Sequence, residues 1–125
     1  MVAADSTVRV AAAQFAVGVD VERNLESCLH WIAEAGKCKP DLVVLPEFAN
    51  HASWYDDQAH CHAVSIDLDG AFVAAIAKAA REINAYVVVN ATLRRGGDAC
   101  TGTRLLRSPY GELLGTSDKQ VLYGH

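Results

Sequence analysis

The sequence has no Cys-x-x-Cys pair, no basic segment, no apolar run of membrane-spanning length and no glycine-rich phosphate loop. Each absence removes a class of function. The four cysteines, Cys28, Cys38, Cys61 and Cys100, are irregularly spaced, which suits neither a zinc site nor a secreted disulfide framework, so reduced thiols are expected. The formal net charge is −4 and the 11 Lys and Arg are scattered, so there is no positive field for nucleic acid and no such partner is expected. No uncharged stretch reaches the roughly 18 residues of a bilayer span, and "MVAADSTVRV" has neither the basic start nor the apolar centre of a signal peptide. No membrane partner is expected, and the cytoplasm is the default compartment.

What is there is enough for a core. The 125 residues are 51% hydrophobic and 21% charged, the balance of one modest globular domain. "TVRVAAAQFAV" (7 to 17) reads as a strand buried on both faces. After Gly18 the period turns helical: Val21, Leu25, Cys28, Leu29 and Ile32 share a stripe, with Asp20 as N-cap and Gly36 placed to end the helix. "DLVVLP" is a second buried strand closed by Pro46. The stretch from 48 to 65 has no clean period and reads as a loop with a helical turn. A second helix has Phe72, Ile76, Ala79, Ala80 and Ile83 on one face, and "AYVVVNATL" is a third strand. "RRGGDACTGT" reads as turn material. The last segment divides at Ser108-Pro109-Tyr110-Gly111, a type I turn by its proline and glycine, into two strands of a hairpin. The order βαβαβββ describes one α/β unit that begins parallel and ends antiparallel.

Two charged residues stand out against this pattern. Glu47 follows an almost uncharged strand, and in α/β sheets functional sites gather at the carboxyl ends of strands. Lys119, in "GTSDKQVLYG", lies at or near the end of the last strand. If the two strands are neighbours in space, a carboxylate and an ammonium face one rim. On pattern alone, a solvated carboxylate and a surface ion pair of small energetic consequence are the better reading of both.

The succession "VRVAAAQFAV", amphipathic helix, "DLVVLPEF", helix, "AYVVVNATL" and "SPYGELLGTSDKQVLYG" resembles the N-terminal half of the carbon–nitrogen hydrolase (nitrilase) superfamily over nearly the whole chain. Its most specific piece is the apolar strand followed by Pro-Glu-Phe. The resemblance implies an α/β fold that is part of a four-layer αββα sandwich, with a mixed sheet and two flanking helices. It also implies a Glu-Lys-Cys thiol mechanism on amides, N-carbamoyl compounds or nitriles, with Glu47 as catalytic base and Lys119 as oxyanion-stabilising cation. Such a mechanism needs a base to take the thiol proton and return it to the leaving amine, and a cation for the tetrahedral intermediate. No metal or cofactor is called for, and the partner is a small-molecule amide or nitrile.

The resemblance places the nucleophilic cysteine beyond the lysine, in a tight turn, and none of the four cysteines here has that setting. Residues 1–125 are therefore expected to be the N-terminal portion of one hydrolase domain, inactive alone because the part with the nucleophile is absent. The alternative is a non-catalytic short paralogue that binds a partner. Trp54 and Tyr55, in "NHASWYDD", are candidate substrate-binding residues or loop packing. His60, Cys61 and His62, with His51, Asp56 or Asp57 nearby, could ligate a metal in principle, but adjacent ligands on one short segment rarely close a tetrahedral site, and a polar loop is the better reading. Half of a sandwich would leave one sheet face uncovered, so a homo-oligomer is expected.

Overall fold

The computed structural model describes residues 7–119. Five strands form one mixed sheet in the order β1 (Val10–Ala12), β2 (Leu42–Val44), β3 (Tyr86–Arg94), β4 (Cys100–Arg107) and β5 (Leu113–Asp118). β1, β2 and β3 are parallel, while β4 and β5 continue the sheet antiparallel. Helix α1 (Val21–Gly36) crosses from β1 to β2, and α2 (Gln58–Val64) and α3 (Ala71–Ile83) lie between β2 and β3.

α1 begins where Asp20 accepts a hydrogen bond from the Arg23 N–H at 3.2 Å, satisfying one of the donors a helix start leaves open. α3 ends at Asn84, whose φ of 54° is the left-handed conformation that asparagine tolerates. The apolar stripes meet as their spacing predicts. Cys28 and Ile32 of α1 and Phe72, Val73, Ile76 and Ala80 of α3 are buried against Val43, Val87, Val89, Ala91, Leu93 and Leu105 of the sheet. α1 and α3 pack on each other and on the same sheet face.

The opposite face carries the other set of strand positions, because side chains alternate along a strand. Register puts Val10, Leu42, Tyr86 and Leu106 there, then Val88, Asn90, Gly102 and Arg104. Toward the start of the parallel strands it is open, with Val10 and Tyr86 exposed and Val88 and Leu106 half-buried, whereas at the end of β3 Asn90 and Thr92 are buried and Arg94 is bonded to α2.

Three expectations are corrected. The first strand is three residues long and alternates exposed with half-buried positions through Val17, because it is the edge of the sheet and only one of its faces meets the helices. The stretch from 48 to 65 contains the helix α2, started by Asp57 accepting from His60 N–H at 2.7 Å; none of its residues is buried, so no apolar period marks it. Cys100 to Thr103 are strand and not turn, held by register with Arg94 to Ala91. The Ser108–Gly111 turn is as expected, closed by Gly111 N–H to Ser108 O at 2.9 Å. The end of the last expected strand, from 120 onward, lies outside the described residues.

Candidate active site

The Glu47 segment leaves the sheet through a local interruption of the β2–β3 ladder. Successive bonds in a parallel ladder advance two residues on each strand. Here β3 advances two, from Val88 O to Asn90 O, while the partner advances four, from Leu45 N–H at 3.1 Å to Ala49 N–H at 2.7 Å. The two extra residues fall in Pro46-Glu47-Phe48, beginning at a proline that has no N–H to give. Phe48 lies inside the interruption with φ 51°, a left-handed conformation that costs a bulky residue about 1–2 kcal/mol. Its N–H donates to Asn90 Oδ1 at 2.7 Å.

Lys119 arrives from the other side. Directly after β5, its N–H donates to Gly102 O at 2.8 Å. Its Nζ donates to Glu47 Oε1 at 2.8 Å and stands 5.2 Å from the centre of the Phe48 ring. Gly102 makes this approach possible, since a Cβ there would lie 3.0 Å from the edge of that ring. The Lys119 side chain is 25% exposed and that of Glu47 56%. The two residues singled out in the sequence thus form an ion pair at the carboxyl end of the parallel strands.

Behind the pair lies a set of buried amides that sequence reasoning missed. Asn50 accepts from Thr92 N–H at 3.0 Å and donates to Val64 O at 3.0 Å, taking the place of backbone in the ladder. Asn24 donates to Asn50 O at 2.8 Å and to Gly18 O at 3.0 Å, and accepts from Gly18 N–H at 2.9 Å. The available signal was Asn24 on the apolar stripe of α1; the uncharged Asn90 inside "VVVNATL", the acceptor of the Phe48 N–H, gave a second one, while Asn50 lies in an aperiodic stretch that gave none.

Tyr55 and Trp54 part company. The Tyr55 hydroxyl shares a hydrogen bond with Thr92 Oγ1 at 3.1 Å, its ring stacks on the fully buried His51, and burial pushes its hydroxyl pKa up. Trp54 is 63% exposed. The cysteines are dispersed. Burial pushes the Cys28 thiol up to about 12, and burial together with Cys100 pushes Cys61 up to about 11. Cys38 is exposed on the far side of α1, just past its end. Among the described residues no group of three or more His, Cys, Asp or Glu is arranged to hold a metal ion, and His60 is turned to Asp56, whose N–H donates to its Nδ1 at 3.0 Å.

The carbon-nitrogen hydrolase family model matches residues 9–123. The chain belongs to the carbon-nitrogen hydrolase family. No curated protein matches it significantly. Among solved structures, the NitFhit protein of C. elegans is 19% identical over 93% of this chain and 28% of that one, with a TM-score of 0.83. A double mutant of the amidase from Nesterenkonia sp. AN1, in complex with acrylamide, is 24% identical over 100% of this chain and 47% of that one, with a TM-score of 0.81. A carbon-nitrogen hydrolase from Helicobacter pylori G27 is 15% identical over 90% of this chain and 39% of that one, with a TM-score of 0.78. At these identities the likeness establishes the fold, a hydrolase-type α/β arrangement of a mixed sheet with its helices. The chain spans less than half the length of each of these structures.

Proposed function

We propose that this chain carries the base and the oxyanion-stabilising cation of a thiol hydrolase acting on non-peptide carbon–nitrogen bonds of a small amide, N-carbamoyl compound or nitrile. The observation that carries the reading is the 2.8 Å contact of Lys119 Nζ with Glu47 Oε1 across 72 residues of sequence, in a chain of this family. Stability does not account for it. A pair this exposed contributes about 0–1 kcal/mol, less than the left-handed Phe48 beside it costs. Strain retained next to a partly exposed charged pair is the pattern of a functional site.

In the proposed reaction Glu47 takes the proton of a cysteine thiol, and the thiolate attacks the carbonyl or nitrile carbon. Lys119 stabilises the negative charge that develops in the tetrahedral intermediate. With an amide or N-carbamoyl compound, Glu47 then returns the proton to the departing ammonia or amine, leaving a thioester that water hydrolyses. With a nitrile the proton goes to the nitrogen of a thioimidate, and one water adds to that carbon before ammonia leaves and the thioester forms, which a second water hydrolyses. None of the four cysteines is suited to the attack: Cys28 and Cys61 are held as thiols by their raised pKa values, and Cys38 and Cys100 are not at the pair. Residues 1–125 are then the N-terminal portion of one hydrolase domain, and the nucleophile belongs to a segment outside them. Tyr55, anchored on Thr92 behind Phe48, is the better of the two aromatic candidates for shaping the substrate pocket.

The test is ammonia release across a panel of small amides, N-carbamoyl compounds and nitriles. The 125-residue chain should show no thiol-dependent hydrolysis, and a chain continued past His125 to a cysteine-bearing turn should hydrolyse at least one class. Hydrolysis by the short chain that is abolished by Cys61→Ala would refute the assignment. The uncovered apolar sheet face favours one second reading, a non-catalytic paralogue that binds through that face; silence of the continued chain on every substrate would favour it.

A further inference from the structure

We propose that Asn90 is a positioning residue for the Glu47–Lys119 pair, acting by fixing the left-handed Phe48 that the pair is built around. The inference rests on the hydrolase reading of the pair and concerns a residue on a different strand, 43 positions after Glu47 in sequence.

Backbone acceptors are short at this point of the ladder. Where the ladder is interrupted, the carbonyls of β3 facing the Glu47 segment are already engaged: Val88 O accepts from Leu45 N–H and Asn90 O from Ala49 N–H. The Phe48 N–H falls between these two bonds, and a half-buried backbone donor without a partner is costly. The Asn90 side chain supplies the missing acceptor through Oδ1, at 2.7 Å. Asn90 is 7% exposed, so water has little access to replace it. A polar residue in the middle of "VVVNATL" gives up apolar burial and β-propensity, and the acceptor role accounts for its presence.

Phe48 then relays this constraint to the pair through three contacts. Its ring edge rests against Gly102, where added bulk would meet it at 3.0 Å. Gly102 O holds the Lys119 N–H, and the Lys119 ammonium stands over the ring at 5.2 Å while bonding Glu47, the residue before Phe48. If the Phe48 N–H is released, φ is free to relax to negative values, which swings the ring off Gly102 and carries the Glu47 backbone with it. An aliphatic residue at 90 would keep the strand and lose this relay; aspartate, of nearly the same shape, keeps the acceptor.

Nuclear magnetic resonance on the 125-residue chain tests this without any turnover, so its outcome is separate from that of the hydrolase reading. Two signals report on the relay: hydrogen exchange of the Phe48 amide, and the ring-current shift of the Lys119 ε-protons over the Phe48 ring. In Asn90→Leu the Phe48 amide should exchange at least about tenfold faster and the Lys119 shift should collapse, with the Val89 and Leu105 amides as protected as before. Asn90→Asp should retain both signals. Should Asn90→Leu fail to fold, Asn90→Ala, which adds no bulk, is read in the same way. The proposal is overturned if Phe48 exchange and the Lys119 shift are unchanged without the acceptor, if Asn90→Asp loses them as fully as Asn90→Leu, or if protection falls equally at Val89 and Leu105, the mark of a merely structural role.

Discussion

At the scale of single residues, the pair and the thiols make opposite demands on water. Glu47 and Lys119 sit where a substrate can reach them, whereas Cys28 is sealed under Ala49, with its Sγ 4.0 Å from Ala49 O. In a chain that includes the nucleophile, Glu47→Gln keeps the shape and removes the base, and should lower kcat by about 10²–10⁴-fold. Lys119→Ala removes the oxyanion charge and should lower it by about 10²–10³-fold. Cys61→Ala should leave steady-state turnover nearly unchanged. The Cys28 thiol provides a test of stability against pH. Its pKa is raised from 9.0 unfolded to about 12 folded, so its contribution is complete below pH 9 and is lost as pH rises toward 12, by at most about 1.4 kcal/mol per pH unit. Urea titrations of the wild type and Cys28→Ala should therefore show a steeper alkaline loss of stability in the wild type over that window; parallel curves would show that the thiol is not protected as described.

At the scale of elements, what could be read from sequence was what packing makes periodic. α1 and α3 announce themselves because each buries one stripe, and β2 and β3 because each is a nearly uncharged run of apolar, mostly β-branched residues. α2 shows in the sequence only as a helical turn within a loop because it buries no side chain; it is held by the Asp57 cap and by Arg94, whose guanidinium donates to His62 O and Ala63 O, and such bonds leave no hydrophobic period. The first residues of β4 are turn-like in composition, with Gly-Gly-Asp before them and Thr-Gly-Thr among them, while their pairing is decided by β3. The site followed the same rule: the charges of Glu47 and Lys119 were visible, but the roles of Asn90 and Gly102 depend on register, which no local window contains. Gly36 shows how packing overrides propensity. Alanine in a last helical turn would ordinarily gain about 1 kcal/mol over glycine, but a Cβ here would meet Ile83 Cγ2 at 2.5 Å and Cβ at 3.1 Å. Ile83 is branched and stiff, so overpacking of about 1–3 kcal/mol wins. Gly36→Ala should lower the melting temperature, and an increase would mean that α1 and α3 separate without penalty.

At the scale of the whole molecule, α1 and α3 pack on one face of the sheet, and the other is open toward the start of the parallel strands. Val10 and Tyr86 there are 53% and 42% exposed. We propose that the isolated chain self-associates through this face, because apolar area of this kind is removed from water at about 25 cal/mol per Å². Sedimentation velocity should show dimers or larger species, with Tyr86→Lys shifting the population toward monomer; a monodisperse monomer that binds no apolar dye would contradict this. The most direct measurement of the central claim is rapid-quench mass spectrometry of acyl-enzyme formation in a chain that includes the nucleophile, comparing the wild type with Glu47→Gln on the best amide substrate. The account predicts a thioester on a cysteine outside residues 1–125, formed about 10²–10⁴-fold more slowly without the Glu47 carboxylate; an acyl group on Cys61, or formation at the wild-type rate in Glu47→Gln, would contradict it.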